Sequence, residues 1–565
     1  MRIALLTEGG YPYARGEGGA WTDRLVRGLT QHEFEVYALS RSPRTDAGGR
    51  VPPPAHVRRV LTARLYGEPP DRAARQIGRF GPGRAAARRA GGGRAGRVAF
   101  RGHFADLAAA LAGGSTLEPH ERADRFAAGL YGLAEVAVDH GGLPELLRGE
   151  DALGALEAAC HAPGVRPLLK DIVVTELLAV VALLEHQLRP LSLPWYGPGE
   201  LGAADLCHAV SGGPAALPGL LAKRFCGTPL IVTEYTVRAR EALLVHRAAG
   251  LPPAVRALLG DYHRLLAGES YRRAALITPG SAHVRRWQER CGARPERMRT
   301  VYPGIDAARF ARAASEAAGA SVLALPVARV DPTVVWVGRV DPAKDLVALL
   351  HAFRAIRAGE PRARLRIFHP PATGERAAAY LGHCRALAAR LFPGDDAPVG
   401  GVTFEEIGAP GVPELADAYA AGDVVLLSSG AEGFPLSLVE AMLCGRPTVS
   451  TDVGAVREVV GGTGLVVPPR NPRALAEAAL VLLRGPERAA RLGAAARERA
   501  LGRFTVETCV GAFRESYLDV VARYPARREP LRDAAGRPRP FTTPAESLAP
   551  ARLSPTPAVP GGPRR

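Results

Sequence analysis

Short apolar runs alternate with segments of helical period along most of this chain. Residues 2–8 (RIALLTE) form a continuous hydrophobic stretch of strand length, the pattern of a parallel strand covered on both faces. The loop GGYPYARGEGGA follows. Trp21, Leu25, Val26 and Leu29 then recur at helical spacing and predict a helix from about Ala20. Residues 34–39 (FEVYAL) predict a second strand, so the chain opens as strand, Gly-rich loop, helix, strand, a Rossmann-like βαβ beginning.

The rhythm then breaks and resumes. Residues 68–103 read as an irregular insertion, and 104–192 as Ala/Leu-rich helical sequence without a chemical signal. Strands are predicted again at 205–210 (DLCHAV), 229–235 (PLIVTEY) and within 275–281 (ALITPGS). Residues 311–331 carry no polar cluster and read as a link between domains. A second α/β series then begins, with strands at 333–339, 365–370, 402–407, 423–429, 447–451 and 464–468. The expected fold is therefore α/β, two Rossmann-like domains facing one another across a cleft. Residues 1–325 form the first domain and 326–500 the second; 501–524 is a helix packing back toward the first, and 525–565 a disordered Pro/Arg-rich tail.

Composition narrows the function classes. Hydrophobic residues at 47% and charged residues at 23% are ordinary for a globular chain of 565 residues. Seven scattered cysteines without a C-x-x-C pair argue against a disulfide framework or a structural zinc site. The apolar start is strand length rather than a signal peptide, and the apolar stretch 171–188 contains Glu176 and Glu185, so a buried helix is the better reading than a membrane span. A cytoplasmic location is expected, with peripheral attachment at the inner face of a membrane as a variant of it. The net charge of +17 is concentrated: 71–101 carries +8 and 525–565 carries +5. Both segments are poor in aromatics and rich in Pro, Gly and Ala. They read as solvated segments and give no basis for specific nucleic-acid binding.

Chemistry collects at strand ends in the second series. TVVWVGR ends in Gly338-Arg339, and Lys344 stands five residues on across a strand-to-helix turn. Two such cations can converge on one anion and stabilise a departing diphosphate. After the strand at 423–429 comes AEGFPLSLVEAMLCGRP. Its Glu432 and Glu440 are eight apart, with Glu432 expected in the loop before a helix and Glu440 about two turns inside it. That spacing returns roughly to the same face, so both carboxylates can line one cleft. Carboxylates suit vicinal hydroxyls. Backbone amides at Gly433 and Phe434, with Pro435 and Leu436 following, are expected to face the ligand as helix N-termini do. His208, closing the strand DLCHAV, is expected to face the cleft, with a structural role as the alternative.

G-R-x-x-x-x-K followed by E-G-F-P-x-S-x-x-E-A-M-x-x-G-x-P resembles the retaining family-4 glycosyltransferases of GT-B fold. The N-terminal E-G-G-Y-P-Y-x-R-G-x-G-G-x-W and HAVSGGPA at 208–215 are similar to the PelF-type branch, which is associated with Pel exopolysaccharide synthesis. The resemblance implies a metal-independent hexosyltransferase with no cofactor, using a nucleotide sugar, UDP-glucose in this branch, as co-substrate. It implies a glycan acceptor and a membrane-associated polysaccharide export partner. Position by position, it implies Arg339 and Lys344 on the diphosphate, and Glu432 with Gly433 and Phe434 on the sugar. Glu440 would hold the ribose, Gly18 and Gly19 would approach the phosphates or acceptor, and His208 would lie near the transferring sugar. Glu234 and Tyr235 would lie on the sugar or acceptor side. At this point the branch commonly continues T-E-H-G, whereas here Glu234 is followed by Tyr235-Thr236. A catalytically silent GT-B scaffold and a nucleotide-sugar epimerase on a similar fold remain alternatives at the level of sequence, and no residue identifies the acceptor.

Overall fold

The computed structural model describes residues 1–13, 17–67, 93–113, 118–197, 199–315, 331–393 and 401–526. Most of the basic insertion, the central part of the 311–331 link and nearly all of the C-terminal tail lie outside these. The first sheet has six parallel strands: β1 (Arg2–Glu8), β2 (Glu33–Ser40), β3 (Val57–Arg64), β4 (Leu206–Ala209), β5 (Leu230–Glu234) and β6 (Leu276–Pro279). Their spatial order is β3-β2-β1-β4-β5-β6. The second sheet, also parallel, comprises β7 (Thr333–Val337), β8 (Arg364–His369), β9 (Val402–Glu406), β10 (Val424–Leu427), β11 (Thr448–Thr451) and β12 (Leu465–Val467). Its order is β12-β11-β10-β7-β8-β9.

Each sheet therefore reverses direction once. In the first, the chain builds outward from β1 through β2 to β3, then restarts at β4 on the other side of β1. In the second, the reversal lies between β7 and β10. Helices cannot cover the carboxyl ends of the strands at such a reversal, so a crevice opens there and ligands enter it. Two crevices follow, at Glu8/Ser211 in one domain and at Gly338/Ser428 in the other.

Both sheets are packed on both faces, which is why their strands read as apolar runs. Ile3, Leu5, Phe34 and Val36 point into one core with Trp21, Leu25 and Leu29. Ala4, Leu6, Tyr37 and Leu39 point into another, filled from the helical region by Phe100, Phe104, Phe126, Leu130 and Leu184. Of the insertion expected to be irregular over 68–103, residues 68–92 lie outside the described ones and the rest belongs to a helix, Gly93–Ala112, because Phe100, Phe104, Leu107 and Leu111 recur on one buried face. Its Gly/Arg-rich start concealed that period. Strand β3 had no forecast: it is an edge strand with alternating burial, and Arg58, Arg59 and Arg64 break its apolar pattern.

After the helix Pro486–Arg503 the chain returns to the first domain. Ile305 N donates to Phe504 O at 2.8 Å and Val506 N to Ile305 O at 3.1 Å, tying the crossover down. The helix Val506–Arg523 then buries Val510, Phe513, Tyr517 and Val520 against the helix Glu17–Gly28. A Cβ on Gly28 would stand 2.5 Å from Val510 Cγ2, so the approach requires glycine.

Candidate active site

The second crevice brings Lys344 and Glu432 together. Ser428 Oγ, just past β10, donates to Lys344 O at 2.8 Å, and Gly430 N donates to Ala343 O at 2.8 Å. These bonds strap the loop after β10 to the turn after β7. Across that strap Lys344 Nζ donates to Glu432 Oε1, which also accepts from Ser429 Oγ at 2.7 Å. The Lys344 side chain is 18% exposed and that of Glu432 8%, so the pair is shielded yet open on one side. Arg339, two residues beyond β7, is exposed, and among the described residues no partner holds its guanidinium. Lys344 is thus held in place by Glu432, while the Arg339 side chain is exposed to solvent.

Glu432 lies in the loop before the helix, as expected, but the helix begins only at Leu436 after Pro435, so Glu440 lies one turn inside it rather than two. No helical face joins them. Glu440 Oε2 instead accepts from the Tyr419 hydroxyl at 2.7 Å, which fixes its rotamer. Burial and the Glu440 charge hold the Tyr419 hydroxyl protonated, far above its ordinary range. Between the carboxylates, the amides of Gly433 and Phe434 have no acceptor among the described residues, whereas Gly433 O accepts from Ala455 N at 3.1 Å. The Phe434 ring lies 6.2 Å from Tyr302 and 5.9 Å from Phe504, and Leu436 packs at the edge of the core.

The first domain meets this loop directly. A Cβ on Gly433 would be 3.3 Å from Thr236 Cγ2 and 3.9 Å from Tyr235 O. At this position the cleft is therefore faced by backbone and by Thr236. The Tyr235 ring turns away, edge-on to Trp21 with centroids 4.7 Å apart, its hydroxyl 4.0 Å from Cys509 Sγ. Glu234 is buried and fully engaged: Oε1 accepts from Gly212 N at 3.0 Å and Arg238 N at 3.2 Å, and Oε2 from Gln288 Nε2 at 2.9 Å and from the Tyr271 hydroxyl. Burial raises its pKa against those four bonds. It shapes the loops around the crevice from below.

His208 does not face the cleft. Its side chain is paired in register with Leu5 on the face covered by the C-terminal helix, fully buried. Nδ1 lies 2.6 Å from the Tyr517 hydroxyl and Nε2 2.6 Å from Thr233 Oγ1, so both ring nitrogens are used. Burial drives its pKa from 6.5 to about 3. Alternation along β4 decides this: the residue sits third in a four-residue strand rather than at its end. Gly18 and Gly19 fall in the first turn of the helix Glu17–Gly28 rather than in a loop, Gly18 exposed and Gly19 packed 3.2 Å from Tyr13 O by its ideal Cβ.

Residues absent from the sequence reading complete the picture. Glu458, on the short helix Val456–Val460, takes Ala282 N at 2.9 Å and 2.8 Å on its two oxygens and the Tyr302 hydroxyl at 2.9 Å. It caps the helix Ala282–Arg290 of the opposite domain. No motif marks it. In the first crevice, Glu8 at the end of β1 pairs with Arg41 and Arg238. The strand-end rule alone could have singled it out.

Comparison with known proteins decides the family. A model described as "Domain of unknown function (DUF3492)" matches residues 1–296, more than half of the chain, and one described as "Glycosyl transferases group 1" matches residues 331–485. The D-inositol 3-phosphate glycosyltransferase of Thermobispora bispora is 32% identical over 58% of this chain and 73% of its own length. That of Rhodococcus opacus is 32% identical over 66% of this chain and 79% of its own length. The chain belongs to the group 1 glycosyltransferases, and its N-terminal half to the DUF3492 family. Its fold is GT-B. Among solved structures, the Anabaena protein HepE in complex with UDP superimposes with a TM-score of 0.54 at 15% identity, covering 92% of this chain and all (100%) of that one. Sucrose-phosphate synthase from Thermosynechococcus elongatus gives 0.53 at 16% identity, covering 93% and 100%. At that identity these structures speak for the fold. Among the described residues, no helix of this glycosyltransferase is long and apolar enough to cross a membrane.

Proposed function

We propose that this glycosyltransferase moves a hexose, glucose from UDP-glucose, to a glycan-type acceptor with retention of anomeric configuration. The observation that carries the reading is the Lys344–Glu432–Ser429 arrangement at the reversal point of the second sheet, with Arg339 exposed after β7 and without a partner among the described residues. As the glycosidic bond breaks, negative charge builds on the diphosphate, and two cations a few residues apart stabilise that charge more than they stabilise the ground state. The open amides of Gly433 and Phe434 add donors at a helix N-terminus, where anions are favoured. Glu432, oriented by Ser429, accepts from sugar hydroxyls, and Glu440, oriented by Tyr419, from the ribose. In this reading the acceptor attacks on the face from which the diphosphate leaves, and a diphosphate oxygen takes its proton. No metal is required where Arg339 and Lys344 carry the charge.

The choice of glucose and of an exopolysaccharide acceptor rests on the PelF-like N-terminal motifs. The relatives favour a second acceptor, a phosphorylated polyol such as inositol 3-phosphate, since that is what their names state. A donor screen with UDP-, GDP- and ADP-glucose, read as nucleoside diphosphate release and followed by NMR of the product, separates these readings. An α-linked glycoside formed from UDP-glucose is expected. An inverted glycoside, an epimerised sugar nucleotide or no release from any donor contradicts the proposal.

A further inference from the structure

One helix of the first domain reverses the usual pattern of burial. Arg238–Ala248 fully buries only Ala239 and Ala242, while Leu243, Leu244 and Val245 stand 48%, 53% and 60% exposed. A surface helix ordinarily turns its leucines to the core. The turn that follows, Ala248, Ala249 and Gly250, is exposed and uncharged. Cations flank this apolar face. Arg240 lies over the Trp287 ring at 6.0 Å and Arg290 over the same ring at 5.2 Å, which sets the helix Ala282–Arg290 alongside. Among the described residues Arg240, Arg247, Arg286 and Arg290 have no ion-pair partner, whereas the acids of the two helices are engaged, Glu289 by Arg285 and Glu241 by the Thr236 hydroxyl. The excess positive charge is felt at His283, whose pKa is lowered by burial and by Arg286 and Arg240.

We propose that this face docks on an anionic lipid surface. Leu243, Leu244 and Val245 enter the boundary between headgroups and acyl chains, and Arg240, Arg247, Arg286 and Arg290 meet the lipid phosphates. Buried apolar area and attraction to anionic headgroups act together in such docking. A bilayer suits the face better than a polypeptide. A partner helix needs a groove to receive it, and these side chains project from a helix that buries little of itself. A second copy of the chain, paired about a twofold axis, would bring the same unpaired arginines together. The position of the face gives the docking a consequence. Thr236, bonded to Glu241 in the first turn of the helix, stands 3.3 Å from where a Cβ on Gly433 would lie. Docking therefore holds the edge of the cleft between the domains close to the membrane. The inference does not depend on the glycosyltransferase reading.

Cosedimentation of the full chain with vesicles tests it, using phosphatidylcholine alone and an equimolar mixture with phosphatidylglycerol. Wild type is expected to bind the mixed vesicles at least tenfold more tightly than the neutral ones. Leu244→Asp with Val245→Asp removes the inserted side chains, and Arg286→Ser with Arg290→Ser removes part of the attraction. Each pair should weaken binding to the mixed vesicles by roughly tenfold or more. Melting temperature and UDP affinity should stay at the wild-type values, because the replaced side chains are exposed. The basic segments 71–101 and 525–565 are intact in both variants. Equal vesicle binding by wild type and both variants would assign the attraction to those segments and overturn the proposal. No binding of wild type to the mixed vesicles would overturn it as well, including where the variants lose self-association instead.

Discussion

His208 shows how burial can convert a titratable residue into a structural one. With both ring nitrogens bonded and its pKa lowered from 6.5 to about 3, it is neutral in the folded state at every pH near physiological. The unfolded chain binds the proton that the native one refuses. Stability is therefore full above pH 6.5 and falls as the pH drops toward 3, by about 1.4 kcal/mol per pH unit for each such group. His263, lowered to about 3 by burial, adds to the same slope, whereas Glu8, lowered to about 2, loses its contribution only below 4.5. His208→Gln keeps a donor and an acceptor but does not titrate. Its melting temperature should fall less than that of wild type between pH 6.5 and 4.5, and a parallel profile would contradict the assignment. Arg339 presents the opposite case. Exposed and without a partner among the described residues, it contributes little to folding, so Arg339→Ala should change stability by no more than about 0.5 kcal/mol. Donor turnover should drop by about 10²–10³-fold, as when one preorganised donor is removed. Near-normal turnover by a folded variant would remove Arg339 from the diphosphate site.

At the scale of elements, the return of the chain to the first domain depends on a close helix contact. Gly28→Ala would press a methyl into Val510 and should cost about 1–3 kcal/mol in chemical denaturation, the usual penalty for overpacking. Adding Val510→Ala should restore part of that loss; an additive loss would show that the contact is not the cause. The strands of both sheets were legible in the sequence because double burial leaves an unbroken apolar run, as in RIALLTE and TVVWV. β3 was not, since its edge position tolerates arginines, and neither was the helix Gly93–Ala112, whose apolar period begins only after a Gly/Arg-rich turn. At the site, the motif residues Arg339, Lys344 and Glu432 were legible as chemistry. What spacing could not show was that the helix starts as late as Leu436, or that Glu432 and Glu440 are oriented by different partners, Lys344 with Ser429 and Tyr419. Nor could it show that alternation turns His208 away, or that Trp21 and Cys509 draw the Tyr235 ring from the cleft.

For the whole molecule, the relation of the two domains governs access to the cleft. Glu458 fastens one domain to a helix N-terminus of the other, and Gly433 lies so near Thr236 that a Cβ would stand 3.3 Å from its Cγ2, so the loop after β10 packs close to the opposite domain. Glu458→Ala should loosen this contact. Small-angle scattering of the variant without ligand should give a larger radius of gyration than wild type, and UDP should reduce the difference. An unchanged radius would show that the cleft is held by other contacts. Calorimetric titration with UDP decides whether Arg339 and Lys344 form the diphosphate site proposed above. Saturable binding to wild type is expected, with a loss of roughly tenfold or more on either Arg339→Ala or Lys344→Ala, since a charge-assisted hydrogen bond contributes about 1.5–3 kcal/mol. Equal UDP affinity in all three proteins, or none in wild type, would contradict it.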